Sequence, residues 1–320
     1  MKVLVTGARS LLGADLVRRL LARGEHVTVL QRRPAGLGCA EVLADVADHD
    51  SVAAALQGHE VVVHLAARVG VAGSWSEFLR SNVAGTRSVV DGSRAAGVRR
   101  MVHVSSPSVA HAGDPLVGEG AGPADPDRAR GHYARSKALA ERVALAADGP
   151  DLAVLALRPH LVWGPGDTQL VGRIVTRARA GRLVLIGSGA ALVDTTYLPN
   201  AVDALVAAIG APAHGEPVVV SNGEPRPIAE LVTRICAAAG VPGPRRHLPY
   251  AAAWTAGLLA EGVWDVLGRS DDPPITRFVA EQLATAHWFD QRRTREVLDW
   301  SPRVRLDDGF VALARAYGTA

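Results

Sequence analysis

Cysteine is scarce in this chain, and the few cysteines that occur are not paired. Cys39 and Cys236 are the only two among 320 residues, and they lie far apart in the sequence. They lack both the short spacing of a zinc site and the density of a disulfide framework. The sequence therefore predicts no metal site, and a protein that works in a reduced compartment.

The chain also lacks blocks of one charge and long apolar runs. Its 35 basic and 32 acidic residues are interleaved and give a net charge of +3. A surface that binds nucleic acid would instead carry clustered basic residues. The most apolar stretch, which starts at Tyr250, is interrupted by Glu261 and Asp265 and falls short of the ~20 apolar residues that cross a bilayer. The opening "MKVLVTG" has no signal-peptide core. We expect a cytoplasmic protein with a small-molecule partner, and neither nucleic-acid binding nor membrane contact.

Short β-branched runs alternate with helical patterns through the first half of the chain, and 48% of all residues are hydrophobic. Near-continuous apolar strands separated by helices predict an α/β fold, a doubly wound parallel sheet with helices on both faces. After Pro159 the sequence becomes rich in glycine and proline, which suits a smaller substrate-binding domain. We expect a sheet domain over residues 1–160, rejoined by about 198–225, and a substrate-binding region over about 161–197 and 226–320.

The stretch "VTGARSLLG" at residues 5–13 joins the first predicted strand to the first predicted helix. In this context Gly7 and Gly13 let backbone N–H groups approach a pyrophosphate at the positive end of the helix. Ser10 occupies the place of a further glycine, and it is expected to avoid φ > 0 and to cap the helix or donate a hydroxyl to phosphate. The predicted cofactor contacts in the loop are Gly7, Arg9, Ser10, Leu11, Leu12 and Gly13.

The end of the second predicted strand indicates which dinucleotide is bound. A carboxylate is expected there in an NAD site, and an arginine in an NADP site. The chain has Gln31 at this place, followed by Arg32 and Arg33, so the sequence favours NADP(H). Arg9 is a further candidate for the same phosphate, and the alternative for each arginine is a solvated surface cation. Asp45 is a candidate for the adenine amino group. The residues expected along the adenine and its ribose are Asp45, Val46, Leu65, Ala66 and Ala67.

The stretch "HYARSKALAE" carries the strongest chemical signal. Tyr133 and Lys137 lie four residues apart at the start of a predicted helix, so both project from one face. A tyrosine with an ordinary pKa of about 10 is a poor acid or base at neutral pH, but an ammonium one turn away favours the phenolate and makes proton transfer feasible. Upstream, Ser105 and Ser106 end a strand where open sheets place ligands, and a hydroxyl there can donate to a carbonyl oxygen as charge develops.

Taken in order, these motifs resemble the extended short-chain dehydrogenase/reductases. The resemblance includes the TGxxGxxG-like loop, Asp45, "NVAGT" at residues 82–86, the serine strand and the Tyr133–Lys137 pair. The later segments "LRPHLVWGPGD", "VDTTYLPNAVDA", "SNGEP" and "PPITRFVAEQLATAHWFD" are similar to the branch of 3β-hydroxysteroid dehydrogenases. Within that branch they are most similar to the 2-alkyl-3-oxoalkanoate reductases of bacterial long-chain olefin biosynthesis. The resemblance covers essentially the whole chain and implies a Rossmann-like fold.

The resemblance also implies roles for single residues. It favours Ser106 as the catalytic serine because Val109 follows it at the spacing usual in the extended family, with Ser105 as the alternative. It implies that Asn82 steadies the strand beside the catalytic residues, although a simple polar role on the helix is equally open. Residues implied to lie beside the nicotinamide are Pro159 and Val162, and those implied to approach the substrate are Thr195, Thr196 and Tyr197.

The function implied by the resemblance is NADPH-dependent reduction of a β-keto acid with long alkyl chains. Tyr133 would deliver the proton, Ser106 would stabilise the oxygen, and Lys137 would hold the ribose and tune Tyr133. The alternatives are a steroid or sterol dehydrogenase or another bulky-alcohol oxidoreductase, a nucleotide-sugar epimerase or dehydratase, and an NADP sensor without catalysis. The substrate and the physiological direction stay open.

Two further sets of candidates concern the substrate and the assembly. Apolar candidates for the substrate pocket are Trp75, Leu161, Trp163, Trp254 and Phe278, and candidates for a substrate carboxylate are Arg173, Arg177 and Arg277. Long helices are predicted at about 74–96 and 133–147. A homodimer through these helices, and packing of the same helices on the sheet, both explain their apolar faces.

Overall fold

The computed structural model describes residues 1–70, 73–111, 113–267, 273 and 275–319. Its strands are β1 (Lys2–Thr6), β2 (His26–Gln31), β3 (Ala40–Leu43), β4 (Val61–His64), β5 (Arg100–Val104), β6 (Leu116–Glu119), β7 (Ala153–Pro159), β8 (Val162–Trp163), β9 (Val184–Ile186), β10 (Leu192–Val193), β11 (Thr196–Tyr197), β12 (Glu216–Val220), β13 (Arg226–Pro227), β14 (Arg246–Leu248) and β15 (His287–Phe289). Its α-helices are α1 (Leu11–Ala22), α2 (His49–Leu56), α3 (Trp75–Phe78), α4 (Gly85–Ala95), α5 (Gly131–Leu145), α6 (Val171–Arg179), α7 (Leu198–Gly210), α8 (Ile228–Ala238), α9 (Tyr250–Val266), α10 (Arg277–Ala284), α11 (Arg292–Leu298) and α12 (Leu306–Tyr317).

A parallel sheet of seven strands forms the centre of the described chain, in the order β12-β7-β5-β4-β1-β2-β3. The chain runs outward from β1 to β3 on one side and then crosses back to β4 and outward on the other. This confirms the predicted doubly wound sheet. Thr6 is in register with both Leu30 and His64, so the segments that follow β1, β2 and β4 meet at one sheet edge. Open α/β sheets bind ligands at such a switch point.

The strands at the centre of the sheet are buried on both faces. In β1, Val3 and Val5 belong to an apolar cluster that includes residues of α1 and α7, whereas Leu4 belongs to one that includes residues of α2 and α4. All three side chains are 0% exposed. This arrangement requires continuous apolar strands, which is the pattern that the sequence shows.

The long helix predicted at about 74–96 is divided into three parts. Its first part, α3, begins with a capping box in which the Ser74 hydroxyl accepts from the Glu77 N–H and the Glu77 carboxylate accepts from the Ser74 N–H. A π-helical turn at Leu79–Ala84 follows and leads directly into α4. Such turns are frequent at functional sites, and this one carries the buried Asn82.

β6 and most of the strands after β7 form smaller sheets, with the orders β13-β10-β15-β6, β11-β8 and β14-β9. They surround a separate apolar cluster that includes Trp163, Tyr197, Leu231 and Phe310. β12 lies beside β7 in the central sheet. Within the described residues, none of the helices combines the length and the apolarity needed to cross a bilayer.

Candidate functional site

The glycine loop after β1 packs directly against the segment after β4. Gly7 has φ +76°, and a Cβ built on it would lie 2.7 Å from the Ala66 backbone nitrogen. A Cβ on Gly13 would lie 2.6 Å from the Gly7 carbonyl oxygen. Only glycine allows both this conformation and this approach. The two glycines therefore allow the loop to pack closely at the N-terminus of α1, where backbone N–H groups without acceptors in the helix form a cradle that suits a dinucleotide pyrophosphate.

Ser10 stands in this cradle without backbone strain. It has φ −70° and ψ 156° and is the N-cap of α1. Its hydroxyl accepts from the Gly13 N–H at 3.0 Å and donates to the Gly7 carbonyl at 3.0 Å. The serine therefore caps the helix, which is one of the two roles that the sequence predicts for it. The N–H groups of Leu11 and Leu12, in the first turn, have no acceptor within the helix.

Three arginines lie around the end of β2. Gln31 is the last residue of β2 and is buried, whereas Arg32 and Arg33 directly follow it and are exposed. The Gly7 N–H donates to the Leu30 carbonyl at 3.4 Å, which places the loop that carries Arg9 beside this strand end. Within the described residues, none of the three arginines takes part in an ion pair. Cations without an internal partner at this point suit a phosphate ligand.

Asp45 and Val46 follow β3 at the same edge, as the sequence predicts. The Asp45 carboxylate accepts from the Ala47 N–H at 3.0 Å and pairs with the Arg80 guanidinium at 3.1 Å. The Arg80 partner was not evident from the sequence. Val46 is buried, and a Cβ on Gly85 would lie 2.6 Å from its Cγ1, so glycine is needed there for the close approach of α4.

Leu65, Ala66 and Ala67 follow β4. The Leu65 N–H donates to the Thr6 carbonyl at 3.2 Å, and the Ala66 N–H donates to the Thr6 hydroxyl at 3.0 Å. These bonds hold the segment against the end of β1. The predicted adenine contacts therefore lie on one edge with the glycine loop.

Ser106, Tyr133 and Lys137 meet at the end of β5. α5 begins at Gly131, so Tyr133 lies in its first turn and Lys137 one turn later. The buried Lys137 donates from Nζ to the Val104 carbonyl at 2.6 Å. Ser106, two residues after Val104, lies close enough to Tyr133 for a hydrogen bond between their hydroxyls to affect the pKa of Tyr133. The structure thus brings together the three residues that the sequence predicts to be catalytic.

The two adjacent serines differ in their surroundings. Ser106 is partly exposed, and its hydroxyl oxygen accepts from the Ser108 N–H at 3.3 Å at the start of a 3-10 turn. Ser105 is buried, its N–H donates to the Leu157 carbonyl at 2.6 Å, and its hydroxyl has no partner among the described residues. The exposed hydroxyl beside Tyr133 is the one that a substrate can reach.

The electrostatics of Tyr133 differ from the sequence-based prediction. Burial raises the pKa of Tyr133, and the hydrogen bond with Ser106 opposes that shift without cancelling it. Burial also lowers the pKa of Lys137 to about 8, although the Glu141 carboxylate opposes this change. In the protein alone, burial therefore outweighs any lowering of the Tyr133 pKa by the Lys137 ammonium, and the role of Lys137 stays a prediction. Removal from water dominates, and its size depends on packing that the motif does not reveal.

Asn82 connects the segment after β4 to the helix of Tyr133. Its side-chain oxygen accepts from the Arg68 N–H at 2.6 Å, and its amide donates to the Arg68 carbonyl at 3.1 Å and to the Ser136 hydroxyl at 2.9 Å. Ser136 in turn donates to the Tyr133 carbonyl at 2.9 Å. Asn82 is 1% exposed. This geometry favours the steadying role over a simple polar role on the helix, and Ser136 is a member of the network that the sequence analysis missed.

A second buried chain of hydrogen bonds was also missed. The Thr6 hydroxyl is 2.7 Å from His64 Nδ1, His64 Nε2 is 3.0 Å from the Thr86 hydroxyl, and Thr86 donates to the Asn82 carbonyl at 2.7 Å. Burial lowers the pKa of His64 to about 3, so the ring is neutral at physiological pH. The neutral ring accepts at Nδ1 and donates at Nε2, and it links the ends of β1 and β4 to the π-helical turn.

The predicted nicotinamide side lies at the end of β7. Pro159 ends β7 and Val162 begins β8. Between them Leu161 has φ +42°, one of two non-glycine residues with positive φ in the described chain. Backbone in this region is strained for a side chain with a Cβ, and such strain is common at functional sites.

Several candidates for substrate contacts are occupied by other interactions. Trp163 is 1% exposed and stacks on Phe310 with ring centroids 4.6 Å apart, so it belongs to the core. Arg277 is paired with Glu261 at 2.7 Å. Thr196 is 0% exposed and donates to the His160 carbonyl at 2.7 Å. Trp163 and Thr196 are thus fully packed within the protein and Arg277 has an ion-pair partner at the surface, while their roles toward a substrate stay predictions.

Comparison with known proteins adds four findings. A model of the NAD dependent epimerase/dehydratase family matches residues 3–221. The 2-alkyl-3-oxoalkanoate reductase of Stenotrophomonas maltophilia is 40% identical over 97% of this chain and 97% of its own. The human sterol-4-alpha-carboxylate 3-dehydrogenase (decarboxylating) is 28% identical over 98% of this chain and 87% of its own. Among solved structures, MoeE5 in complex with UDP-glucuronic acid and NAD aligns with a TM-score of 0.74 at 27% identity, over 99% of this chain and 98% of that chain.

Proposed function

The chain belongs to the NAD dependent epimerase/dehydratase family, and we propose that its finer function is that of an NADPH-dependent ketoreductase for 2-alkyl-3-oxoalkanoates. It is an oxidoreductase of the extended short-chain dehydrogenase/reductase type, in the 3β-hydroxysteroid dehydrogenase-like branch, with a nicotinamide cofactor and a small-molecule substrate. The observation that carries the proposal is the meeting of Ser106, Tyr133 and Lys137 at the end of β5. The name of the Stenotrophomonas relative supports the substrate class.

The proposed mechanism assigns one task to each of these side chains. A reduced nicotinamide, when bound, would supply the hydride to the carbonyl carbon of the substrate. Tyr133 donates its hydroxyl proton to the carbonyl oxygen of the substrate, and Ser106 donates a hydrogen bond to the same oxygen as charge develops on it. The Lys137 ammonium stabilises the phenolate that remains on Tyr133. Asn82 holds the first turn of α5 through Ser136.

Removal of the Tyr133 hydroxyl tests this mechanism. Tyr133→Phe keeps the ring and is expected to bind NADPH as the wild type does, but to lose about 10²- to 10⁴-fold in kcat because the proton donor is gone. Fluorescence titration measures the binding, and NADPH oxidation measures the turnover. Tyr250→Phe, which removes an exposed hydroxyl elsewhere, is the matched control. An unchanged kcat in Tyr133→Phe would contradict the role of Tyr133.

The preference for NADP(H) is proposed from the arginines after β2. Arg32 has no ion-pair partner in the described chain and follows Gln31, where an NAD site would carry a carboxylate. Arg32→Asp is expected to raise KM for NADPH by about 10- to 100-fold, with KM for NADH changed far less, because a charged hydrogen bond to phosphate is lost. Arg315→Asp makes the same charge change on α12 as a control. Equal changes for both cofactors would show that Arg32 does not contact the phosphate.

A panel of ketones tests the substrate class. We expect NADPH oxidation with 2-alkyl-3-oxo acids and little with simple ketones. The similarity to the human sterol-4-alpha-carboxylate 3-dehydrogenase favours a sterol dehydrogenase as the second candidate. Turnover of sterol substrates with none of the oxo acids would select that candidate. Cofactor binding without turnover of any substrate would leave only a sensor function.

The domain limits and the assembly complete the proposal. A nucleotide-binding part over 1–160 and about 198–225 accords with the position of β12 beside β7, and a substrate-binding part over about 161–197 and 226–320 accords with the separate core cluster. A groove of about 470 Å³ at the π-helical turn and α4 is lined by Leu79 and Val83 together with the charged Arg80, Arg87 and Asp91, and we propose that a second copy packs there. Val83→Arg is expected to convert a dimer into a monomer in light scattering, and a monomeric wild type would contradict the assembly. The cytoplasmic location stays a prediction.

A further inference from the structure

The helix that carries Tyr133 and Lys137 also carries a buried acid. Glu141 follows Lys137 by four residues on α5, so the two side chains lie one turn apart on one face. Lys137 is 3% exposed and Glu141 is 0% exposed. An ionised group is costly to bury without a partner, so the surroundings of Glu141 require an explanation.

Arg158 on β7 provides that partner. Its Nε donates to Glu141 Oε2 at 2.8 Å, and a terminal nitrogen donates to Glu141 Oε1 at 2.5 Å. The other terminal nitrogen donates to the Ala121 carbonyl. Both partners of this ion pair are buried, at 0% and 1% side-chain exposure. Apolar residues of similar volume often replace such a pair without loss of stability, so stability alone does not account for the pair.

The remaining titratable groups around Lys137 do not supply a negative charge at neutral pH. His64 on β4 and His103 on β5 both lie close enough for the Lys137 charge to affect them. Burial lowers the pKa of His64 to about 3 and the pKa of His103 well below its ordinary value, so both rings are neutral. Tyr133 is protonated because burial raises its pKa. Within the described chain, Glu141 is the carboxylate whose charge stabilises the Lys137 ammonium.

We propose that Glu141 is a positioning residue for Lys137: oriented by Arg158, its carboxylate keeps the buried ammonium charged while leaving the ammonium N–H groups free. Both Glu141 oxygens accept hydrogen bonds from Arg158, whereas the Lys137 ammonium donates to the Val104 carbonyl, so Glu141 acts on Lys137 through its charge. Lys137 therefore retains N–H groups beyond the one that the Val104 carbonyl accepts. The proposal rests on the proposed roles of Tyr133 and Lys137.

The sequence makes a direct measurement feasible because Lys2 and Lys137 are its only lysines. In protein labelled with carbon-13 at lysine, the Cε chemical shift of each can be followed through a pH titration without cofactor or substrate. In the wild type we expect Lys137 to titrate near pH 8. In Glu141→Gln its pKa should fall by about one unit, a tenfold loss of proton affinity. Lys2, which is exposed, serves as an internal reference.

A double variant separates this role from a purely structural one. Glu141→Gln leaves the Arg158 cation buried without its partner and can fail to fold, whereas Glu141→Gln with Arg158→Met removes both charges. The lowered Lys137 pKa should persist in the double variant, because the Glu141 carboxylate that raises it is still missing. If the Glu141–Arg158 pair were only structural, uncharged residues could replace it without any effect on Lys137. A folded double variant with the wild-type Lys137 pKa would therefore overturn the proposal.

A matched control and an activity profile complete the test. Glu230→Gln removes a carboxylate paired with Arg226 at 2.7 Å on α8 and should leave the Lys137 signal unchanged. In ketone reduction, the loss of kcat/KM at high pH should begin about one pH unit lower in the double variant than in the wild type. A shifted Lys137 pKa with no turnover of any ketone would retain the inference and refute the proposed function. An unshifted pKa would refute the inference whatever the turnover.

Discussion

Replacement of Ser10 separates its two predicted roles, helix cap and phosphate ligand. In the structure both bonds of the hydroxyl are internal, to the Gly13 N–H and the Gly7 carbonyl at 3.0 Å each. Ser10→Ala removes the cap, which typically costs about 1 kcal/mol of the free energy of unfolding, whereas glycine at an N-cap costs only a few tenths. The φ of Ser10 is −70°, which any residue adopts without strain. Glycine at this position would therefore not relieve backbone strain.

The expected differences are small but measurable. For a two-state chain of this length, about 1 kcal/mol corresponds to a change in Tm of about 1.5 °C. Urea unfolding followed by tryptophan fluorescence gives the free energies, with Ser301→Ala as the control for an exposed serine outside a helix. Ser10→Ala should be the least stable variant, and Ser10→Gly should lie close to the wild type.

The same variants test whether Ser10 contacts the cofactor. Because the hydroxyl is occupied within the loop, Ser10→Gly should change the Kd for NADPH by no more than about threefold, which is less than 1 kcal/mol. Equal stability of Ser10→Ala and the wild type would refute the capping argument. A tenfold loss of NADPH affinity in Ser10→Gly would show that the hydroxyl binds phosphate.

Three further predictions concern buried positions. Gly7→Ala should lose at least about 1–2 kcal/mol of unfolding free energy and most NADPH binding in calorimetry, because alanine at φ +76° is strained and its Cβ would lie 2.7 Å from the Ala66 nitrogen. Asn82→Ala should lose about 1–3 kcal/mol in urea unfolding, because it leaves the buried backbone groups of Arg68 without partners; a variant as stable as the wild type would contradict this. Burial raises the pKa of Asp194 to about 6 from 3.8, so its contribution favours the folded state at low pH and is lost as the pH rises through 6. The unfolding free energy of the wild type relative to Asp194→Asn should fall by about 2 kcal/mol between about pH 4 and pH 7, and a flat difference would refute the raised pKa.

Local spacing predicted much of the candidate site. The TGxxGxxG-like loop, the arginines after the second strand and the Tyr133–Lys137 pair could be read from the sequence, because each depends on residues close together in the chain. The alternation of apolar strands and helices predicted the doubly wound sheet for the same reason. The comparison proteins confirm the family that these motifs resemble.

The tertiary structure decided which neighbours surround these residues. It distinguished the partly exposed Ser106 from the buried Ser105, placed Trp163 in the core, and paired Glu141 with Arg158. It also reversed the expected direction of the Tyr133 pKa. The periodicity of a sequence indicates which residues share one face of a helix or strand. The burial and pairing of those residues depend on which distant segments pack against them. The free-energy cost of removing a charge from water depends on the same packing.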